Sequence, residues 1–249
     1  MTDDGELRRL QGVYAGYDSD SKEQAKRDAT NAGLSQIQME RARVLRELLE
    51  SEGLMPLTGK RVLDIGSGLG NELARLIAEG ADPQLSVGVD VLPDRVERAS
   101  RLHPNVRFMR ADARRLPVAD SSFDLVLANV VFSSILDDKV AAAVSDEMRR
   151  VIAPEGAIVW WDNRYPTPGN PNVRGYRFRD IQRLFPGSRV RARTTTLLPP
   201  VARRLGRAAS LLYGPLARIP VLRGRYLAIV RPGIGAAPRG NDGYRTQRH

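Results

Sequence analysis

The sequence contains no cysteine, and only two histidines and two tryptophans, in 249 residues. Without cysteine there is no disulfide framework, no thiolate nucleophile and no sulfur ligand for a metal. Histidine offers little more. His103 sits in the turn-like stretch LHPNV and His249 ends the chain, so neither reads as a catalytic base. Carboxylates and histidines are nowhere dense enough to suggest a metal site, and none is expected. Long apolar runs are missing too. The longest, Leu125 to Leu136, is broken by Asn129, Ser133 and Ser134 and falls short of the ~20 residues that cross a bilayer. The opening MTDDGELRRL is polar and acidic, unlike a secretory leader. The expected location is cytoplasmic.

Lysine is what the second half lacks. From Arg164 to His249 there are 18 arginines and no lysine against two acids, Asp180 and Asp242. That half carries a net charge of +16, the first half −6, and the whole chain +10. Such a balance suits a phosphate, an anionic membrane surface or nucleic acid, but it equally describes a solvated arginine-rich surface.

What is present is an alternation of short apolar runs with helical segments. Residues 61–65, 85–90, 106–110, 123–128 and 157–162 read as strands. Between them, 71–79, 93–102 and 137–152 read as helices. The loop 163–175 is rich in Pro, Gly and Asn. A short helix over 179–185 and strands over 189–197 and 225–230 complete the pattern. The expectation is an α/β fold with a doubly wound, mostly parallel seven-stranded sheet covered on both faces. Upstream, the first ~30 residues read as irregular or weakly helical. A helix is expected from Ser35, where Ser35 and Gln38 have capping-box spacing and Leu34 and Met39 could form a hydrophobic staple. The expected organisation is a lid and helix over 1–56, a core domain over 57–231 and a disordered tail over 232–249. A helical insertion over 199–224 precedes the last strand. In it Val201, Leu205, Ala208, Ala209 and Leu212 fall on one stripe, beside Arg203, Arg204 and Arg207. A basic amphipathic helix of this kind can lie on a membrane, or pack on the core or a second subunit.

The chemistry is expected at RVLDIGSGLG. A buried strand ends at Asp64-Ile65 and runs into Gly66, Ser67, Gly68 and Gly70 before a helix. Nucleotide-like ligands lie at this first crossover of a doubly wound sheet. Asp90 ends the second strand twenty residues later, where a carboxylate can accept both hydroxyls of a ribose. A nicotinamide fingerprint fails, because Asn71 occupies the place of the last glycine. Asp64 would also repel a pyrophosphate, while it suits a cationic amino-acid moiety.

With Asp112 as a third acid, residues 60–162 resemble the core of class I S-adenosylmethionine-dependent methyltransferases, with its Rossmann-like fold. The wider chain is similar to the type 11-like enzymes of bacterial glycan and natural-product pathways. The resemblance implies S-adenosyl-L-methionine as cofactor. It places Asp64, Gly66, Ser67, Gly68 and Gly70 around the methionine part, Asp90 at the ribose and Val91 and Leu92 beside the adenine. Asp112 and Ala113 would meet the adenine edge, and Asn129 the transferred methyl group.

Methyl transfer from a sulfonium needs alignment and sometimes a base. Asp162, at the end of the fifth strand, is the candidate base, with Asn129 beside the reaction. Ser133, Asn163, Arg164, Tyr165 and Arg174 are candidate acceptor-binding residues, and Tyr14 and Tyr17 are candidates for a covering segment. The expected acceptor is a hydroxyl of a glycan, glycolipid or small natural product. RNA- or protein-directed methylation and a non-catalytic partner subunit are the alternatives. An anionic membrane contact through 199–224, an oligomer and a nucleic-acid partner remain open.

Overall fold

The computed structural model describes residues 3–19 and 30–233. Fifteen elements position the site. Helices α1 (Asp3–Ser19) and α2 (Ala32–Ser51) precede β1 (Val62–Ile65), α3 (Asn71–Ala78), β2 (Ser86–Asp90), α4 (Pro93–Leu102) and β3 (Arg107–Arg110). Then come β4 (Phe123–Asn129), α5 (Asp138–Val151), β5 (Ile152–Asn163), α6 (Phe178–Leu184) and β6 (Arg189–Leu197). Short helices α7 (Pro199–Arg204) and α8 (Ala209–Ala217) lead into β7 (Arg223–Arg231). The seven strands form one sheet in the order β3-β2-β1-β4-β5-β7-β6, with β7 antiparallel to both neighbours. Strand order reverses between β1 and β4, so a cleft opens at their carboxyl ends.

Strand residues alternate between two cores. Val62, Leu125, Leu127, Val159, Trp161 and Leu227 pack beneath α2, α3 and the insertion. Leu63, Ile65, Val126, Ala128, Trp160 and Val230 pack beneath α5 and α6. This alternation later decides which polar side chains reach the site.

Four expectations change. First, residues 3–19 are a helix. Its own periodicity is weak, and tertiary contacts override it. The Glu6 carboxylate accepts from Leu136 N at 2.8 Å, Arg9 Nη1 donates to Asn172 Oδ1 at 3.1 Å, and Arg9 also donates to Ser134 O. Second, α2 begins at Ala32, not Ser35. Asn31 is the cap, its side chain accepting from Leu34 N at 3.2 Å, and Ser35 lies inside the first turn. Third, β5 starts at Ile152 rather than Ala157. Fourth, the insertion is not one continuous helix. Gly206, at φ +50°, turns the chain between α7 and α8. The core-facing residues are therefore Ala202, Ala209, Tyr213 and Ala217, while Leu212 is exposed. Contact with α2 is close: a Cβ on Gly33 would stand 1.8 Å from Ala202 O. Tyr213 Oη fixes the insertion further, donating to Glu40 at 2.7 Å and accepting from Leu197 N at 3.2 Å. The expected tail lies outside the described residues from 234 onward.

Candidate cofactor and acceptor site

The turn after β1 needs its glycines. Gly66 has φ +65°, and a Cβ there would meet Val131 Cγ2 at 2.8 Å. Gly70 has φ +79° and begins α3. Asp90 holds the turn in place. Its Oδ2 accepts from Gly68 N at 2.9 Å, and its Oδ1 accepts from Leu92 N at 3.0 Å.

Two cavities open at this edge of the sheet. The narrower, about 280 Å³, is lined by Asp90, Val91, Leu92, Ala111, Asp112 and Ala113 below, with Leu7, Leu10 and Tyr14 of α1 above. Arg114 grips the Asp112 carboxylate through Nε at 2.9 Å and through its backbone N at 2.9 Å. Burial pushes Asp112 up, but Arg114 outweighs it and holds the carboxyl below its usual range. Tyr14 Oη is 2.9 Å from Ser134 Oγ, and the Arg95 guanidinium lies 4.3 Å from its ring centroid. Burial raises the Tyr14 phenol.

The wider cavity, about 820 Å³, lies on the α2 face. Asp64, Ser67, Glu72, Arg41, Arg75, Trp161, Arg203 and Arg225 supply its polar and aromatic lining. Arg41 Nη2 pairs with Glu72 Oε2 at 2.6 Å and donates to Asn129 Oδ1 at 2.9 Å. Arg75 pairs with the other Glu72 oxygen at 2.6 Å. Arg41 and Arg225 both stack on Trp161, at 4.3 and 4.0 Å from its ring centroid. Burial pulls the Arg225 guanidinium down to about 10. Burial, followed by the nearby Glu72 charge, pushes the Asp64 carboxyl well above the usual range, with Arg41 opposing. Gly66 and Asn129 line both cavities.

Asp64, Gly66, Ser67, Asp90, Val91, Leu92, Asp112, Ala113, Asn129 and Tyr14 are thus brought together. Gly68 and Gly70 shape the turn without lining either cavity. Asp162 is not there. It neighbours Trp161 in β5 and so points away from the wider cavity, onto the face of the narrower one but beneath its lining, 1% exposed, accepting from Ser133 N at 3.0 Å and Asn163 N at 2.8 Å. Burial raises this carboxyl above its ordinary value. Ser133, Asn163, Arg164, Tyr165, Arg174 and Tyr17 also line neither cavity, although Tyr17 packs edge-on against Tyr14. Asn163 Nδ2 donates to Ser133 Oγ at 3.1 Å. Arg164 Nη1 donates to Pro220 O at 2.9 Å and Arg223 O at 2.8 Å, and Tyr165 Oη to Val221 O at 3.4 Å. These two brace the insertion. Arg174 Nε donates to Tyr176 Oη at 2.8 Å, and Tyr17 Oη accepts from Asn170 Nδ2 at 2.6 Å.

Residues 62–156 match the family of methyltransferase domains. The demethylmenaquinone methyltransferase of Renibacterium salmoninarum is 33% identical over 149 residues, covering 58% of this chain and 56% of that protein. The malonyl-[acyl-carrier protein] O-methyltransferase of Halorhodospira halophila is 35% identical over 127 residues, or 50% and 41% of the two chains. The chain thus spans about half the length of these relatives. Residues 62–156 thus resemble a methyltransferase domain. The fold agrees. A TehB-like S-adenosylmethionine-dependent methyltransferase from Corynebacterium glutamicum superposes with a TM-score of 0.52 at 19% identity, covering 77% of this chain and 96% of that one. The [4+2]-cyclase SpnF superposes with a TM-score of 0.58 at 20% identity, covering 78% and 82%. A cyclase among the neighbours shows that this fold does not by itself fix the reaction.

A methyltransferase domain of this kind implies S-adenosyl-L-methionine as cofactor, and the residues present fit it. Asp64 Oδ1 and Ser67 Oγ are buried without a hydrogen-bond partner, next to the glycine turn. An ammonium donor would satisfy the first. Asp90, though it already accepts two backbone N–H groups, keeps free lone pairs toward the narrower cavity. Arg41, Glu72, Trp161, Arg203 and Arg225 escape a motif-based reading, because each comes from an element outside the glycine turn or points inward only through the fold. Strand alternation does give one signal, since it sets Trp161 on the opposite face from Trp160.

Proposed function

We propose that the chain transfers a methyl group from S-adenosyl-L-methionine to a hydroxyl of a small natural product, glycan or glycolipid seated in the wider cavity. The junction carries this reading: Gly66 and Asn129 border both cavities, so a cofactor with its adenosine in the narrower one and its ammonium on Asp64 in the wider one would pass between them. When bound, the cofactor would supply an electrophilic methyl on a sulfonium; its thioether product leaves, the hydroxyl proton passes to solvent water, and the protein need form no covalent intermediate. Asp64 holds the ammonium and Asp90 the ribose, while Val91, Leu92, Asp112 and Ala113 surround the adenine. Asn129, fixed by Arg41, orients the acceptor oxygen. Alignment is the main contribution of the site.

A concave cavity favours a small acceptor over a polymer. The arginines of the second half also support this, because many serve the fold. Arg189 and Arg191 pair with Glu52, Arg193 pairs with Glu47, and Arg231 donates to Glu52 O. The net charges of the two halves thus partly cancel within the molecule, which weakens the case for a nucleic-acid partner. The insertion gives a further reading. Leu211 is 75% and Val221 65% exposed, with Leu212 and Ile219 also exposed, beside Arg207 and Arg218. We propose that this face rests on an anionic membrane surface, as suits a lipid-linked acceptor. No helix among the described residues is long and apolar enough to cross a membrane.

The test uses cofactor with a labelled methyl group and fractionated cell extract. Label is expected in the small-molecule or lipid fraction, with mass spectrometry locating it on a hydroxyl oxygen. Label in total RNA or protein would overturn the reading. Flotation with anionic and neutral vesicles at low salt, where surface attraction is strongest, checks the membrane contact. Failure to float with either would remove it.

A further inference from the structure

We infer that the acceptor carries an oxyanion, a carboxylate or a phosphate, which Arg225 and Arg203 hold inside the wider cavity. The inference rests on the methyltransferase reading and names the chemistry of its acceptor. Its starting point is an imbalance. Four arginines line the wider cavity, Arg41, Arg75, Arg203 and Arg225, against two acids, Asp64 and Glu72. Glu72 is engaged by Arg41 and Arg75. Asp64 is committed to the ammonium, and the cofactor's own carboxylate is offset by its sulfonium, so the four arginines still face Glu72 alone. The side chains of Arg225 and Arg203 make no hydrogen bond or ion pair among the described residues, and Asp162 acts on Arg225 only as a nearby charge. Arg225 Nε is buried without a partner.

A guanidinium partly taken out of water, as Arg225 is, loses free energy for each buried donor left unsatisfied. Stacking on Trp161 at 4.0 Å recovers only part, since a ring face accepts no set of five N–H bonds. The neighbouring acid that could help, Asp162, occupies the other face of the sheet and already accepts two backbone N–H groups. Burial accordingly depresses the Arg225 guanidinium. A fork-shaped cation beside an aromatic face, with Leu34 and Met39 nearby, suits a planar or apolar acceptor bearing a carboxylate or phosphate.

The test titrates the protein calorimetrically with 1-naphthoate, 1-naphthyl phosphate and the neutral methyl 1-naphthoate, with and without saturating S-adenosylhomocysteine. The wild type is expected to prefer at least one anion over the ester by about tenfold or more, the size of one charge-assisted hydrogen bond. Which anion wins separates a carboxylate acceptor from a phosphate one. Arg225→Gln should abolish the preference, Arg225→Lys should keep part of it, and the exposed Arg204→Gln should leave it intact. S-adenosylhomocysteine affinity should change less than threefold in Arg225→Gln, and its melting temperature should hold or rise, because an unpaired buried charge is gone. Equal binding of ester and anions would overturn the inference. So would a tenfold loss of S-adenosylhomocysteine affinity in Arg225→Gln, which would assign Arg225 to the cofactor carboxylate. Absence of S-adenosylhomocysteine binding to the wild type would sink the methyltransferase reading instead, and the cofactor-free titrations would still report on the anion.

Discussion

The two cavities are built on opposite principles. In the narrower one the polar groups apart from the shared Asn129 already have partners: Asp90 in Gly68 and Leu92, Asp112 in Arg114, Tyr14 in Ser134. In the wider one, Asp64 Oδ1, Ser67 Oγ and Arg225 Nε are buried with nothing to bond. Buried polar groups left unpaired each cost roughly 1–3 kcal/mol, and more when charged. The narrower cavity is therefore a preformed slot whose shape selects a flat ligand. The wider one stores unsatisfied demand that a ligand of matching charge would relieve. Shape recognition and charge recognition are separated, and they meet at Gly66 and Asn129.

The sharpest break of this comparison is Asp90→Ala. Two charge-assisted bonds to a ribose would go, at roughly 1.5–3 kcal/mol each. S-adenosylhomocysteine affinity is expected to fall at least ~100-fold, measured by calorimetry. A melting curve separates this from loosening of the glycine turn, which also leans on Asp90. Unchanged affinity would mean the ribose lies elsewhere.

Asp64 tests the other cavity through pH. Its folded-state carboxyl sits well above the ordinary range. In the window between the ordinary and the raised value, the native state holds the proton more tightly than the unfolded chain. Stability of the free protein then falls as pH rises through that window. Cofactor affinity moves the opposite way, because an ammonium favours the ionised carboxylate and binding expels the proton. Affinity should rise with pH until Asp64 is ionised. Asp64→Asn should bind about tenfold more weakly at high pH, the scale of one charge-assisted bond, and lose the pH dependence. A slope that persists in the variant would assign the titration to another group.

The slot was far more legible in the sequence than the acceptor cavity, and the reason is physical. Asp64, the glycine turn, Asp90 and Asp112 each sit at a strand end or just after it, so strand periodicity alone locates them. Arg41 comes from a helix upstream, Arg203 from the insertion and Arg225 from an antiparallel strand far along the chain. No local pattern links them. Asp162 shows the opposite failure. Its place at the end of β5 was legible, but the face was not used, and alternation with Trp161 turns it away from the cavity. Residues 3–19 carry little amphipathic signal and become a helix through Glu6 and Arg9.

Asp162→Asn sharpens that last point. A general base contributes about 10²–10⁴-fold to turnover. Asp162 instead accepts two backbone N–H groups on the far face. In the Asn variant one acceptor becomes a donor facing an N–H, while the raised carboxyl loses its burial cost, and the two effects oppose each other. Stability should shift by no more than about 1–2 kcal/mol, and turnover per folded molecule by less than tenfold. A loss of 10² or more with unchanged cofactor affinity would restore Asp162 as the base.

The smallest expected effect concerns the roof of the slot. Helix α1 closes the narrower cavity through Leu7, Leu10 and Tyr14. Its anchors are Glu6 on Leu136 N and Tyr14 on Ser134 Oγ. Tyr14→Phe removes one hydrogen bond, worth about 1 kcal/mol, but keeps the ring that Arg95 stacks on at 4.3 Å. If opening of α1 exposes it to protease, cleavage follows the open population, and this change should speed it about fivefold. Ligand binding that requires the closed roof acts the other way. At a concentration 100 times its Kd it stabilises the closed form by about 2.7 kcal/mol, which should more than cancel the substitution. Limited proteolysis of wild type and Tyr14→Phe, each with and without S-adenosylhomocysteine, measures both effects. Cleavage within residues 3–19 at one rate in all four samples would show that α1 is not a lid, and the slot would then be recognised from its floor alone.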